Sequence, residues 1–303
     1  ILITGGNGMV GKNLIYSLNK KKYKLFYPKK TELDLLKVRD IDNYIKKNSP
    51  NIIIHCAGLV GGIQANINSP FSFLYNNTIM GMNLVNISIK HNIEKFINLG
   101  SSCMYPKDHN GELNETNILS GKLEPTNEGY ALAKISVAKL CEYAKKEHGF
   151  DYKTLIPCNL YGKYDNFDSV NSHMIPAVLK KIHSSKKNNK NVVIWGDGNA
   201  RREFMYVEDL IDFIVFVLNN YDKVDSLMNV GLGYDFTINE YYKKAAKIIG
   251  FSGDFEYDLT RPVGMDRKLC SIDKQVKLDW SPSHTLDQGL LKTYKYYLKN
   301  YEI

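Results

Sequence analysis

Tyr130 and Lys134 lie four residues apart, so on a helix they share one face. A phenol beside an ammonium is a candidate proton donor. The tyrosine hydroxyl titrates near ~10, too high for efficient proton transfer at neutral pH without help. A neighbouring ammonium and the positive nicotinamide of an oxidised dinucleotide both favour the phenolate. Tyr130 can then protonate an oxygen as hydride reaches the carbon that bears it. The spacing alone is not selective, because Tyr16 and Lys20 satisfy it too. Position separates the pairs: Tyr16 falls in the helix after a glycine-rich loop, whereas Tyr130 comes well after the apolar run at 95–99. Ser101 ends that run, where open α/β sheets place ligands, and its hydroxyl can donate to the same oxygen. Ser102 is its rival, and pattern does not separate the two. Cys103 and His173 are also of reactive type. Read alone, the first is a small buried hydrophobe and the second a helix cap.

The opening TGGNGMVG implies where hydride comes from. Gly5, Gly8 and Gly11 follow a short apolar run and head a helical pattern. Backbone can there approach a dinucleotide pyrophosphate at a helix N-terminus, which a side chain would obstruct. The GxxGxxG spacing is that of the short-chain dehydrogenase/reductase superfamily rather than GxGxxG. After the run at 24–27 an NAD-binding chain would carry an acid for the ribose, but Pro28-Lys29-Lys30-Thr31 stands there. Basic residues favour the 2′-phosphate of NADP, with Lys30 the main candidate. Asp34, before Leu35, is placed to meet the adenine, and His55-Cys56-Ala57-Gly58 brings backbone close to the cofactor again.

A parallel sheet with helices on both faces is needed to position these residues, and the first half alternates accordingly. Strands are expected at 1–4, 24–27, 51–56, 95–99 and 154–157, with helices at 10–19, 38–47, 77–91 and 127–147. Beyond 159 the alternation fades. Strands are expected at 192–195 and 228–230, helices at 175–183, 207–219, 238–249 and 286–299, and a strand then loop over 255–262. The fold class is α/β: a Rossmann-type doubly wound parallel sheet with a smaller, discontinuous α/β substrate-binding region. Residues 1–158, with a returning segment at about 205–232, form the NADP-binding part. Residues 159–204 and 233–303 form the substrate-binding region.

With 303 residues, 44% hydrophobic and 24% charged, the chain suits a soluble globular protein with a sizeable core. The net charge of +8 comes mostly from lysines such as Lys20-Lys21-Lys22, Lys29-Lys30 and Lys186-Lys187. That is a solvated basic surface, without the arginines and interleaved aromatics of a nucleic-acid binder, and it suits a phosphorylated substrate. Apolar runs such as Ile52-Ile53-Ile54 fall far short of the ~20 residues a membrane span needs. Cys56, Cys103, Cys141, Cys158 and Cys270 include no CxxC pair, which argues against a disulfide framework or a zinc site and for the cytoplasm; no metal is expected. The chain opens at Ile1 rather than methionine, so a few residues are expected upstream.

Several segments together resemble the GDP-L-fucose synthase family of extended short-chain dehydrogenase/reductases, the GDP-4-keto-6-deoxy-mannose 3,5-epimerase-4-reductases. They are Leu99-Gly100-Ser101-Ser102-Cys103-Met104-Tyr105-Pro106-Lys107, Glu124-Pro125-Thr126-Asn127, Asp165-Asn166-Phe167 with Asn171-Ser172-His173, Trp195-Gly196 and Arg202-Glu203-Phe204. The resemblance runs along essentially the whole chain. It implies that Ser101, Tyr130 and Lys134 are a reductase triad and that Cys103 and His173 are an epimerisation acid/base pair. A ketone at carbon 4 acidifies the protons on carbons 3 and 5. A thiol and an imidazole, titrating near ~8.5 and ~6.5, suit their exchange. Further cofactor contacts are implied for Met9, Val10, Leu35, Ala57, Pro157, Asn159, Leu160 and His173. Substrate contacts are implied for Ser102, Lys181, Trp195, Arg202 and Lys268, the last two suited to a diphosphate. A GDP-sugar substrate, NADPH and a homodimer built on the helices at 77–91 and 127–147 follow from the same resemblance.

The chain departs from the family at three places. Asn7 stands where bacterial relatives commonly carry an arginine for the 2′-phosphate, Cys158 replaces a threonine, and Asp168-Ser169-Val170 is unusual. Two other readings stay open. One is a pure C4-reductase of a related GDP-4-keto sugar such as a GDP-heptose, and the other is a catalytically idle NADP-binding regulatory module. Intact Tyr130 and Lys134 argue against the second. A dehydratase would want a Thr-Asp-Glu cluster where Ser101-Ser102-Cys103-Met104 stands.

Overall fold

The computed structural model describes residues 1–21, 23–168, 172–260 and 264–302. Along the chain run β1 (Leu2–Thr4), α1 (Met9–Leu18), α2 (Val38–Asn48), β2 (Ile52–His55), α3 (Ile63–Asn68), α4 (Pro70–Lys90) and β3 (Lys95–Leu99). There follow α5 (Glu128–His148), β4 (Lys153–Pro157), β5 (Asn159–Tyr161), α6 (Met174–Asn188), β6 (Val192–Trp195), β7 (Arg201–Arg202) and β8 (Phe204–Tyr206). The rest comprises α7 (Val207–Asn219), β9 (Leu227–Val230), β10 (Phe236–Thr237), α8 (Ile238–Ile249), β11 (Phe255–Asp258), β12 (Arg267–Lys268), α9 (Asp273–Lys277) and α10 (Leu286–Tyr301).

The main sheet is parallel throughout, in the order β1-β2-β3-β4-β9. Its strands are apolar on both faces because helices cover both. One core joins Ile3, Ile54, Ile97 and Leu155 to α7 and α1, and the other joins Leu2, Ile53 and Phe96 to α2, α4 and α5. A third core lies apart, where α6, α8 and α10 pack around Val192 and Ile194 of β6. Three small sheets, β10-β7-β12, β11-β6 and β5-β8, lie outside the main sheet.

Helices expected at 207–219 and 238–249 form with those bounds as α7 and α8. A capping box of Thr237 and Glu240 opens α8, and Gly250 closes it in the left-handed conformation. The strand expected at 24–27 does not form a ladder. Phe26 makes a single bridge to Leu2 before Pro28 removes the next donor, so the edge stays short. Helix α4 starts seven residues before the expected 77, with proline in its first turn. The end of the 255–262 reading lies outside the described residues, as do Lys22, Ser169, Val170 and Asn171.

Candidate active site

Where β1 ends, Gly5 has a φ of +70°. A Cβ there would stand 2.6 Å from the Ala57 backbone, and one at Gly11 would stand 2.3 Å from the Gly5 carbonyl oxygen. The loop is closed to side chains at both positions. Gly8, which precedes α1, brings no side-chain cap, and the first turn holds no acid. The N–H groups of this turn, where Met9 and Val10 are half-buried, are therefore offered to an external anion. A dinucleotide pyrophosphate fits that donor set.

Where the adenosine is expected from sequence, Leu35 is buried and its carbonyl accepts the Asn83 amide at 3.2 Å. Asp34 is half-buried and accepts the Leu36 N–H at 3.2 Å. Lys29 and Lys30 are exposed, and the Lys29 N–H donates to Glu32 at 2.7 Å. Beyond the sheet, Pro157 is buried at the end of β4, Leu160 is half-buried, and Asn159 donates its amide to the Glu203 carbonyl at 2.9 Å.

Ser101 leaves β3 extended, and its Oγ accepts the Cys103 N–H at 3.2 Å, starting a single tight turn over Ser102–Met104. The turn separates the two serines. Ser102 is 3% exposed, whereas Ser101 lies beside the hydroxyl of Tyr130. Tyr130 sits in the first turn of α5 and Lys134 one turn further on. The Lys134 Nζ donates to the Leu99 carbonyl at 2.9 Å and lies 5.6 Å from the centre of the Tyr130 ring. Burial brings its ammonium down to about 8, countered by Cys56 and Cys103. The phenol behaves otherwise than expected from sequence. Burial pushes Tyr130 up, the Cys103 sulfur adds to the rise, and only the Ser101 hydroxyl opposes it. The protein alone therefore holds Tyr130 protonated, the state a proton donor needs.

The Cys103 sulfur receives two nitrogen donors, the Asn127 amide at 3.3 Å and the Lys268 ammonium at 3.6 Å. Lys268 reaches this cluster because β12 pairs with β7, which sets Lys268 opposite Arg202. Burial lowers the Arg202 guanidinium, and Asp266 and Glu124 oppose that. His173 occupies the cap position of α6, yet its side chain makes no capping bond. Its Nδ1 stands 3.9 Å from the Asp165 carboxylate. Lys181 and Trp195 form a second group on α6 and β6, the ammonium 5.6 Å from the indole centre.

Residues 1–231 match the NAD dependent epimerase/dehydratase family. The chain is 56% identical over 300 residues to GDP-L-colitose synthase of Yersinia pseudotuberculosis, an alignment covering 98% of this chain and 97% of that one. It is 47% identical over 304 residues to GDP-L-fucose synthase of Azorhizobium caulinodans, covering 100% and 97%. The chain belongs to the GDP-L-fucose synthase branch of that family. Among solved structures, MlghC, the GDP-mannoheptose C4 reductase from Campylobacter jejuni with NADP bound, matches at a TM-score of 0.89 and 30% identity, over 98% of this chain and 97% of that one.

Three polar residues near the site were given no role from sequence, although Asn127 and Asp165 lie in the segments that carry the resemblance. Asn77 is buried in α4 and clasps both the N–H and the carbonyl of Leu59, at 2.8 and 3.0 Å. Asp165 is 5% exposed and faces His173. Asn127 touches the Cys103 sulfur. Its position before a helix reads as a cap, but the side chain caps nothing. Only the fold brings these amides and this carboxylate to their partners.

Proposed function

We propose that this protein reduces the 4-keto group of a GDP-4-keto-6-deoxy sugar with NADPH, after epimerising carbons 3 and 5. The carrying observation is that one turn joins two chemistries: the Ser101 hydroxyl lies beside Tyr130 and also accepts the N–H of Cys103. Cys103 and His173 move the carbon-bound protons. Removing one leaves negative charge on the oxygen at carbon 4, and the hydroxyls of Ser101 and Tyr130 receive it by hydrogen bonding. Bound NADPH supplies hydride to carbon 4. Tyr130 then gives its proton to the oxygen, and Lys134, fixed on Leu99, offsets the phenolate that remains.

The glycine loop, Ala57, Asp34, Leu35 and Lys30 hold the cofactor, and NADP is the form bound, as in MlghC. Arg202 and Lys268 take the substrate diphosphate, while Lys181 and Trp195 take the rest of the nucleotide. Residues 1–158 and the segment at about 205–232 serve the cofactor, and the remainder serves the sugar nucleotide. The heptose reading is the weaker one, since MlghC is 30% identical and the colitose synthase 56%. The colitose synthase favours one variant reading, in which the product is the sugar nucleotide that its name gives, GDP-L-colitose.

A homodimer is built on α4 and α5. These helices pack together and leave Phe71 76% exposed, with Leu74, Tyr75, Leu132 and Tyr143 also outward. Five free thiols suit a reducing compartment such as the cytoplasm, and among the described residues no helix is long and apolar enough to cross a membrane. The function is tested by following NADPH oxidation with a GDP-4-keto-6-deoxy sugar. Consumption tied to loss of the ketone is expected, and a protein that binds NADPH but turns over nothing overturns the reading.

A further inference from the structure

Asn127 is the residue before α5, a position where asparagine ordinarily bonds the helix's own N–H groups. Here it makes no such bond. Its Nδ2 points instead at the Cys103 sulfur, 3.3 Å away, and its Oδ1 is buried with no hydrogen-bond partner among the described residues. An amide oxygen left unsatisfied is costly, so the side chain is not held in this pose by ordinary capping. The Lys268 Nζ lies 3.6 Å from the same sulfur, and the Cys103 N–H is fixed on Ser101 Oγ at 3.2 Å.

We propose that Asn127 is a positioning residue for the epimerisation step, holding the Cys103 sulfur through its amide N–H, the donor that remains when Lys268 turns to the substrate diphosphate. This rests on the reading of Cys103 as a carbon acid–base group. Both neighbours donate, so the sulfur faces them as an acceptor. Cys103 acts as the thiolate: the proton passes to sulfur, and the C–H electron pair moves into the enolate on the oxygen at carbon 4. Protonated His173 gives its proton to the opposite face of the carbon, which completes the inversion. Loss of one donor frees the sulfur to rotate. Reduction depends on Ser101, Tyr130 and Lys134 and keeps its own contacts.

The test compares Asn127→Asp, Asn127→Ala and wild type. Aspartate is as good a helix-start residue as asparagine, so a capping role survives Asn127→Asp, but the donor facing sulfur is replaced by a carboxylate. Two readouts are taken. In heavy water with the oxidised cofactor, solvent deuterium enters carbons 3 and 5 of the 4-keto substrate, which reports the Cys103 chemistry without hydride transfer. Both variants are expected to slow that exchange by about tenfold or more, with direct NADPH-dependent reduction within about threefold of wild type. The second readout is alkylation of Cys103 by iodoacetamide against pH, without substrate. Its midpoint is expected to move up by about one pH unit in Asn127→Asp, because a like charge now faces the thiolate. Wild-type exchange and an unmoved alkylation profile in Asn127→Asp overturn the proposal. If wild type itself exchanges no deuterium, the epimerase reading fails, and the alkylation profile still decides whether Asn127 governs the sulfur. Should Asn127→Ala not fold, Asn127→Asp carries both readouts.

Discussion

Replacing Glu203 by glutamine should destabilise this protein at pH 5 and cost it nothing at pH 8. Glu203 is 0% exposed, and its carboxylate accepts backbone N–H groups from Leu232, Gly233 and Cys270. It thereby ties the segment after β9 to the segment after β12. Burial lifts the carboxyl from 4.5 to about 7, and the N–H bonds oppose that without cancelling it. An acid whose folded pKa is raised contributes stability that is complete below the unfolded value of 4.5 and is lost as pH rises through about 7. The gap is worth about 3 kcal/mol. In Glu203→Gln the amide oxygen keeps Leu232 and Gly233 satisfied, but the amide N–H groups face the Cys270 N–H. That costs about 1–3 kcal/mol and does not titrate. The variant should therefore be less stable than wild type by about 1–3 kcal/mol at pH 5 and equal to it or more stable at pH 8. Urea denaturation of both proteins at the two pH values measures this, since other titrating groups cancel in the comparison. A difference that stays constant from pH 5 to pH 8 refutes the argument.

Tyr130→Phe removes only the proton donor, so turnover should fall by ~100-fold to 10,000-fold with NADPH affinity nearly intact. Steady-state assays and cofactor titration check this, and turnover within fivefold of wild type sinks the assignment. The Lys134 ammonium is lost as pH rises through about 8, so kcat/KM should fall on that alkaline limb, read from a pH–rate profile. NADPH should bind more tightly than NADH, and Lys30→Gln should narrow the difference; equal affinity in the unmutated protein contradicts it. Light scattering at micromolar concentration should give the mass of a dimer, and Phe71→Glu, which places a charge on the exposed face of α4, should shift it toward monomer.

The features legible from sequence were those set by local periodicity. Ser101 at a strand end, and Tyr130 and Lys134 on one helix face, come together because β3 and α5 are adjacent in the fold. The two- and three-residue strands β5, β7, β8, β10 and β12 carry no periodic signal, since pairing over long separations alone defines them. Lys268 was legible as a cation suited to a diphosphate, but its reach to the Cys103 sulfur follows from the register of β12 on β7. The rise at Tyr130 was also invisible, because desolvation depends on how closely α5 seats against the sheet.

The most direct test of the central claim is the product formed in heavy water from NADPH and GDP-4-keto-6-deoxy-mannose, analysed by mass spectrometry and proton NMR. One NADPH should be consumed per product, with solvent deuterium at carbons 3 and 5 in wild type. Cys103→Ser should give a reduced product carrying none. A wild-type product reduced at carbon 4 but free of solvent deuterium contradicts the epimerase half of the account, and no NADPH-dependent reduction at all contradicts the whole of it.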